Sequence, residues 1–133
     1  MRTPVDIDLD TSNGPVTFTV HPLDGASAIK FFGWFTKRAG SGLVGVKEGS
    51  EGAAIASIIS GFSDTDFEHI AKEMCRCTYV AEKQLDYKAF SELFRGQFWE
   101  SLKLIVFAFG VTYGNFSNVP GDLANVWDKA KGN

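Results

Sequence analysis

Half of the chain's aromatic residues lie in one short stretch, and this concentration constrains the fold more than any other feature. The segment from Asp86 to Phe116 holds nine of the eighteen Phe, Trp and Tyr residues. Within it, residues from about Gln97 to Tyr113 are apolar at nearly every position of a helix. A helix with no polar side lies at the centre of a fold or in an interface. The stretch therefore predicts a central hydrophobic C-terminal helix.

The first 22 residues predict a β-hairpin. Two runs in which apolar and polar residues alternate are separated by Asn13-Gly14. This dipeptide is favoured in two-residue hairpin turns because both residues tolerate a positive φ. A turn at these positions pairs Leu9 with Phe18, and it places the apolar side chains of both strands on one face.

The segment 28–38 is compatible with either a helix or a strand. Its aromatic density suits a strand, whereas Ile29, Phe32 and Phe35 fit one side of a helix. We favour a helix that ends at Gly40, because glycine is the usual residue just after a helix.

Helix signals recur through the rest of the chain. A short apolar helix is expected over Ala53–Ser60, and Ser63 is expected to cap an amphipathic helix that reaches about Arg76. Thr78–Ala81 is a candidate extended piece. Asp86 is expected to cap a helix that breaks at Gly96, and Leu123–Lys129 is a candidate terminal helix with Trp127 on its apolar side.

These elements predict an α+β fold that is mainly α-helical, in which an N-terminal β-hairpin is followed by a small helical bundle. We expect a single domain over residues 1–133. Its parts are a hairpin at 1–22, a flexible glycine-rich loop at 40–52 and a helical part at 63–133.

Charge and hydropathy exclude two classes of partner. The net charge of -3 is spread evenly along the chain, so no basic face is expected for nucleic acid. The longest apolar run, Leu104–Val111, is too short for a bilayer, which needs about 20 residues. The N-terminus has no apolar core of the secretory type, so we expect a cytoplasmic protein with no membrane partner.

Few residues offer catalytic or metal-binding chemistry. His21 and His69 are the only imidazoles, and neither has a serine or cysteine at a spacing typical of a catalytic triad. Cys75 and Cys77 alone are too few for a metal site. The glycines from Gly40 to Gly45 match a dinucleotide-binding pattern but follow a predicted helix rather than a strand. We therefore expect no enzyme activity, no metal and no cofactor.

Two aromatic clusters are too crowded for all their side chains to point inward. One spans Phe31–Phe35, and the other surrounds Gly96. Contiguous apolar surface that reaches the outside of a small domain usually marks an interaction site. The candidate partner-binding residues are Phe31, Trp34, Phe35, Phe94, Phe98 and Trp99.

Three motifs between Leu85 and Phe116 resemble a known family. A short helix ends in Phe94-Arg95-Gly96, a hydrophobic helix follows over Phe98–Val111, and the segment closes with Tyr113-Gly114-Asn115-Phe116. This order is similar to the C-terminal part of bacteriophage tail assembly chaperones of long-tailed phages.

The resemblance implies a non-catalytic chaperone in the host cytoplasm. Such a protein binds the hydrophobic helical tape-measure protein, keeps it soluble and promotes tail-tube assembly around it. It also implies the tail-tube protein as a further partner, self-association into a homo-oligomer, and absence from the mature virion. Two alternatives stay open: a structural virion or tail adaptor protein, and a small ligand-binding domain that uses the Gly40–Gly45 loop.

Overall fold

The computed structural model describes residues 4–39 and 51–113. In these ranges an N-terminal hairpin is followed mainly by helices, which confirms the predicted fold class. The elements in chain order are β1 Val5–Thr11, β2 Gly14–Val20, α1 Gly25–Ala39, α2 Glu51–Ser60, α3 Asp64–Arg76, β3 Thr78–Val80, β4 Lys83–Gln84, α4 Tyr87–Leu93 and α5 Phe98–Tyr113. The predicted Gly40–Gly45 loop and the predicted terminal helix lie outside the described residues.

The hairpin is part of a larger sheet than the sequence predicts. Its four strands lie in the order β1-β2-β3-β4, and all neighbours are antiparallel. The predicted extended piece after α3 forms β3, in which Tyr79 pairs with Thr19 of β2. The apolar side chains of the hairpin face the core, as the alternation predicted, and they are Ile7, Leu9, Phe18 and Val20.

The register predicted from a turn at Asn13-Gly14 is wrong by two residues. Phe18 pairs with Ile7 rather than with Leu9. Side chains alternate between faces with a period of two, so both registers place the same residues against the core. The alternation therefore predicts the buried face and leaves the register open.

Contacts outside the hairpin hold the turn at Ser12 and Asn13. The Ser12 N–H donates to the Leu93 carbonyl of α4 at 2.7 Å, and the Ser12 hydroxyl donates to the Glu92 carbonyl at 2.8 Å. Gly14 follows the turn with a φ of 87°, which favours glycine. The register thus depends on α4, a helix far away in the sequence.

The caps predicted at Ser63 and Asp86 are confirmed, and Asp24 caps α1 in the same way. Each cap side chain accepts a hydrogen bond from the backbone N–H three residues later: Asp24 from Ser27, Ser63 from Asp66, and Asp86 from Ala89. These bonds satisfy N–H groups that have no partner within a helix. The segment 28–38 is helical, and α2 begins at Glu51, within the segment predicted as a loop.

The inward face of α1 differs from the prediction. Ile29 and Phe32 are 77% and 45% exposed, whereas Phe31 and Phe35 are buried. The rings of Phe31 and Phe35 contact Phe109 of α5 at centroid distances of 5.6 Å and 4.9 Å. Helix α1 has two apolar stripes, and packing against α5 buries the one that contains Phe31 and Phe35.

The central position predicted for α5 is confirmed. The helix packs against β1, α2 and α3. Its buried residues are Ser101, Leu102, Leu104, Ile105, Val106, Phe107, Ala108, Phe109, Gly110 and Val111. Its first turn is different, because Phe98 and Trp99 are 49% and 71% exposed.

Candidate protein-interaction surface

The six predicted partner-binding residues differ in exposure: three are buried, one is half-buried and two are exposed. Three belong to the hydrophobic core: Phe31, Phe35 and Phe94. Trp34 is half-buried and stacks on Phe31 at 5.7 Å. Phe98 and Trp99 are exposed neighbours, with ring centroids 5.4 Å apart. Their role in partner binding stays a prediction, and burial restricts the accessible part of the set to Trp34, Phe98 and Trp99.

A sharp corner at Gly96 connects α4 to α5. The Gln97 N–H donates to the Phe94 carbonyl at 2.9 Å, and Gly96 between them has a φ of 74°. Phe94 stacks on Phe18 of the sheet at 5.5 Å, so the corner is anchored on its α4 side. The exposed aromatic pair begins two residues after the glycine.

Gly96→Ala should lower the free energy of unfolding by about 1–2 kcal/mol, because a side chain is strained in left-handed backbone. The added methyl group itself meets open space, so the loss reports backbone strain rather than a steric clash. Urea denaturation measures it. Gly96→Asn is the matched control and should lose less, since asparagine tolerates this conformation better. Equal stability of wild type and Gly96→Ala would contradict a strained corner.

An aromatic groove lies beside the exposed pair, and we call it the α3–α5 groove. Two open depressions of about 360 Å³ and 510 Å³ share Phe67 of α3, Tyr87 of α4 and Phe98 of α5 as lining residues. Phe67 and Phe98 stack across the groove with centroids 6.4 Å apart. The apolar residues that line the two depressions are Ile59, Phe62, Phe67, Tyr87, Phe90, Phe94, Phe98 and Trp99.

Charged groups stand at the rim of the groove. Lys72 pairs with Glu68 at 2.7 Å, and its ammonium lies 5.6 Å from the centre of the Tyr87 ring. The hydrogen bond and charge of Glu68 raise the pKa of Lys72 above its ordinary value. Asp64 also lines the groove and makes no ion pair within the described part of the chain. An apolar floor with a carboxylate at its edge suits an amphipathic segment that carries basic residues.

A comparison with protein families identifies the chain. The model of the family described as phage tail assembly chaperone protein, TAC, matches residues 13–121. The chain belongs to this family. The three motifs from Leu85 to Phe116 lie within the matched residues, so the resemblance is confirmed. No curated protein and no solved structure gives a match.

Sequence reasoning missed two parts of this tail assembly chaperone's surface. Phe67 and Tyr87 reach the groove from separate helices, and no local pattern predicts that convergence. Little in the sequence indicates that Ile29 and Phe32 are exposed. The basic residues of α1 lie on other sides of the helix, so no charge marks the side of this pair as solvent-facing.

Both imidazoles of the chaperone pack against aromatic rings. His21 contacts Tyr79 at 5.0 Å, and His69 is exposed and packs on Trp34 at 4.3 Å. Among the described residues, no three His, Cys, Asp or Glu side chains converge in a way that could hold a metal ion. No helix in the same ranges combines the length and apolar character needed to cross a bilayer.

Both cysteines are buried free thiols, and burial raises the pKa of Cys75 and of Cys77 to about 12 from an ordinary value of 9.0. A raised folded-state pKa contributes stability below the unfolded pKa, and that contribution is lost as the pH rises towards the folded one. The free energy of unfolding should therefore fall between pH 9 and 12. Each thiol contributes a slope of up to about 1.4 kcal/mol per pH unit.

Denaturation across this pH range tests the effect against the double variant Cys75→Ala/Cys77→Ala. The variant starts from a lower stability because it loses packing, so the slope is the informative quantity. A shallower slope for the variant supports buried neutral thiols. Equal slopes would contradict them.

Proposed function

We propose that this tail assembly chaperone binds the tape-measure protein in the α3–α5 groove, keeps it soluble in the host cytoplasm, and yields it as tail-tube subunits assemble around it. The observation that carries the proposal is the exposed pair Phe98 and Trp99 beside an aromatic groove. Such large apolar side chains are seldom left in water side by side unless the surface serves binding. The role requires no catalytic group.

The shape of the groove supports a helical client. Its aromatic floor spans three helices, and an amphipathic helix can lay its apolar face into such a groove. The carboxylate of Asp64, which makes no ion pair among the described residues, favours a client helix with lysine or arginine beside its apolar stripe. Because the groove is open and shallow, the client remains accessible to displacement by the tail-tube protein, which we propose as the second partner.

Self-association follows from the same surface. Without a client, pairing of two exposed grooves removes Phe98 and Trp99 from water, so we propose a homo-oligomer in the resting state. Client binding then competes with self-association. The chaperone is released when the tail-tube protein displaces it, and it is therefore absent from the mature virion.

Co-expression with the tape-measure protein tests the proposal. The tape-measure protein should be soluble and co-purify with the chaperone, and it should be insoluble when expressed alone. Mass spectrometry of purified phage particles should then detect the tape-measure protein without the chaperone. Stoichiometric chaperone in the particles would show a structural tail protein instead. Failure to co-purify would contradict the proposed client.

A further inference from the structure

A second apolar surface lies on α1, and we call it the α1 face. It consists of neighbouring uncharged residues on one side of the helix, namely Gly25, Ala26, Ile29, Phe32, Gly33 and Thr36. Ile29 and Phe32 are its large exposed side chains. A side chain added at Gly25 or Gly33 would meet nothing within 4 Å among the described residues, so the face has room for a covering element. Its uncharged strip runs along Gly25, Ile29, Phe32 and Thr36, and Lys30 and Lys37 flank it on one side.

The described chain ends directly beside this face. The ring of Tyr113, the last residue of α5, packs on Phe32 at 5.7 Å, and its hydroxyl donates to the Ala28 carbonyl at 2.7 Å. Four residues earlier, Phe109 contacts Phe31. The two helices are therefore antiparallel, and the twenty residues after Tyr113 start at the α1 face.

The sequence after Tyr113 has an apolar stripe that matches the face. At i, i+3, i+4 and i+7 stand Leu123, Val126, Trp127 and Ala130. Pro120-Gly121 precedes them, and this pair favours a reversal of chain direction. The nine residues 114–122 span at most about 30 Å when extended, which is ample for a segment that begins at the face.

We propose that residues 123–130 dock on the α1 face of the same molecule, with Trp127 packed against Ile29 and Phe32. The tether favours this occupant over a second copy, because a short linker holds the segment at an effective concentration in the millimolar range. Docking there shields the α1 face, which lies at the opposite end of α5 from the α3–α5 groove. The groove thereby stays the chaperone's open apolar surface.

The alkylation rate of an engineered thiol tests this docking in the full chain. Ile29→Cys places a thiol in the middle of the face, whereas Lys88→Cys places one on the exposed side of α4 as a reference. The buried native thiols, whose pKa is raised to about 12, react slowly and leave the engineered thiol as the readout. We expect the thiol at position 29 to react at least about tenfold more slowly than that at 88, as for a site exposed only by local opening.

Second substitutions in the segment identify the occupant. Trp127→Asp should restore fast alkylation at position 29, and Asn125→Asp, which adds the same charge outside the stripe, should not. The slow rate should be independent of protein concentration. Fast alkylation without a second substitution, or slow alkylation that Trp127→Asp leaves unchanged, would overturn the proposal. Protection that grows with protein concentration would assign the face to a second copy and overturn it as well.

Discussion

Replacing Phe107 with alanine should lower the free energy of unfolding by about 3–5 kcal/mol, the usual cost of emptying a buried aromatic site. Phe107 is fully buried near the middle of α5. It belongs to the hydrophobic core, and α5 packs against β1, α2 and α3. Since small domains are stable by only about 5–15 kcal/mol, the loss removes a large part of the total.

Urea denaturation of the wild type and two variants measures this effect. Phe107→Leu is the matched control, and it should lose less than Phe107→Ala because most of the apolar volume remains. The unfolding transitions should share one slope with denaturant, so that a midpoint shift reports stability. A loss below about 1 kcal/mol for Phe107→Ala would contradict the central packing of α5.

Trp99→Asp should weaken binding of the tape-measure protein at least about thirtyfold, which corresponds to the 2 kcal/mol or more that marks an aromatic hot spot. Trp99 is 71% exposed, so the substitution removes an anchor and adds a charge without opening a cavity. Its effect on the free energy of unfolding should stay within about 0.5 kcal/mol, as for other surface sites. A loss of binding without a loss of stability therefore identifies Trp99 as a contact residue rather than a structural one.

Titration of tape-measure segments by fluorescence anisotropy measures the binding, and thermal unfolding measures the stability. Lys88→Asp is the control, because it makes a larger charge change at an exposed position of α4 outside the groove lining. It should bind nearly as the wild type does. If Trp99→Asp kept full affinity, the client would bind elsewhere and the α3–α5 groove would lose its assignment. The family membership would stand in either case.

Local patterns predicted the elements of this fold because their causes are local. A cap needs only one side chain that accepts a hydrogen bond from the backbone N–H three residues later. Ser63 and Asp86 each supply such a side chain. The left-handed backbone of Gly96 ends α4 where glycine predicted a break. The apolar character of α5 predicted its central position because no side of it suits water.

The hairpin register and the buried stripe of α1 depend on contacts with distant parts of the chain. The hairpin could take two registers with the same buried face, and the hydrogen bonds from Ser12 to α4 select one of them. Helix α1 could bury either of two stripes, and Phe109 of α5 selects the one that contains Phe31. No pattern within either segment distinguishes these options.

The sequence by itself determined the capped helices α3 and α4, the hairpin, the central α5 and the resemblance to tail assembly chaperones, since each depends on the order of neighbouring residues. Only the tertiary structure decided which aromatic side chains reach the surface. Phe94 and Phe98 lie four residues apart, yet Phe94 is 6% exposed and stacks on Phe18 of the sheet, whereas Phe98 is 49% exposed. Burial depends on what packs opposite a side chain, and that neighbour comes from elsewhere in the chain.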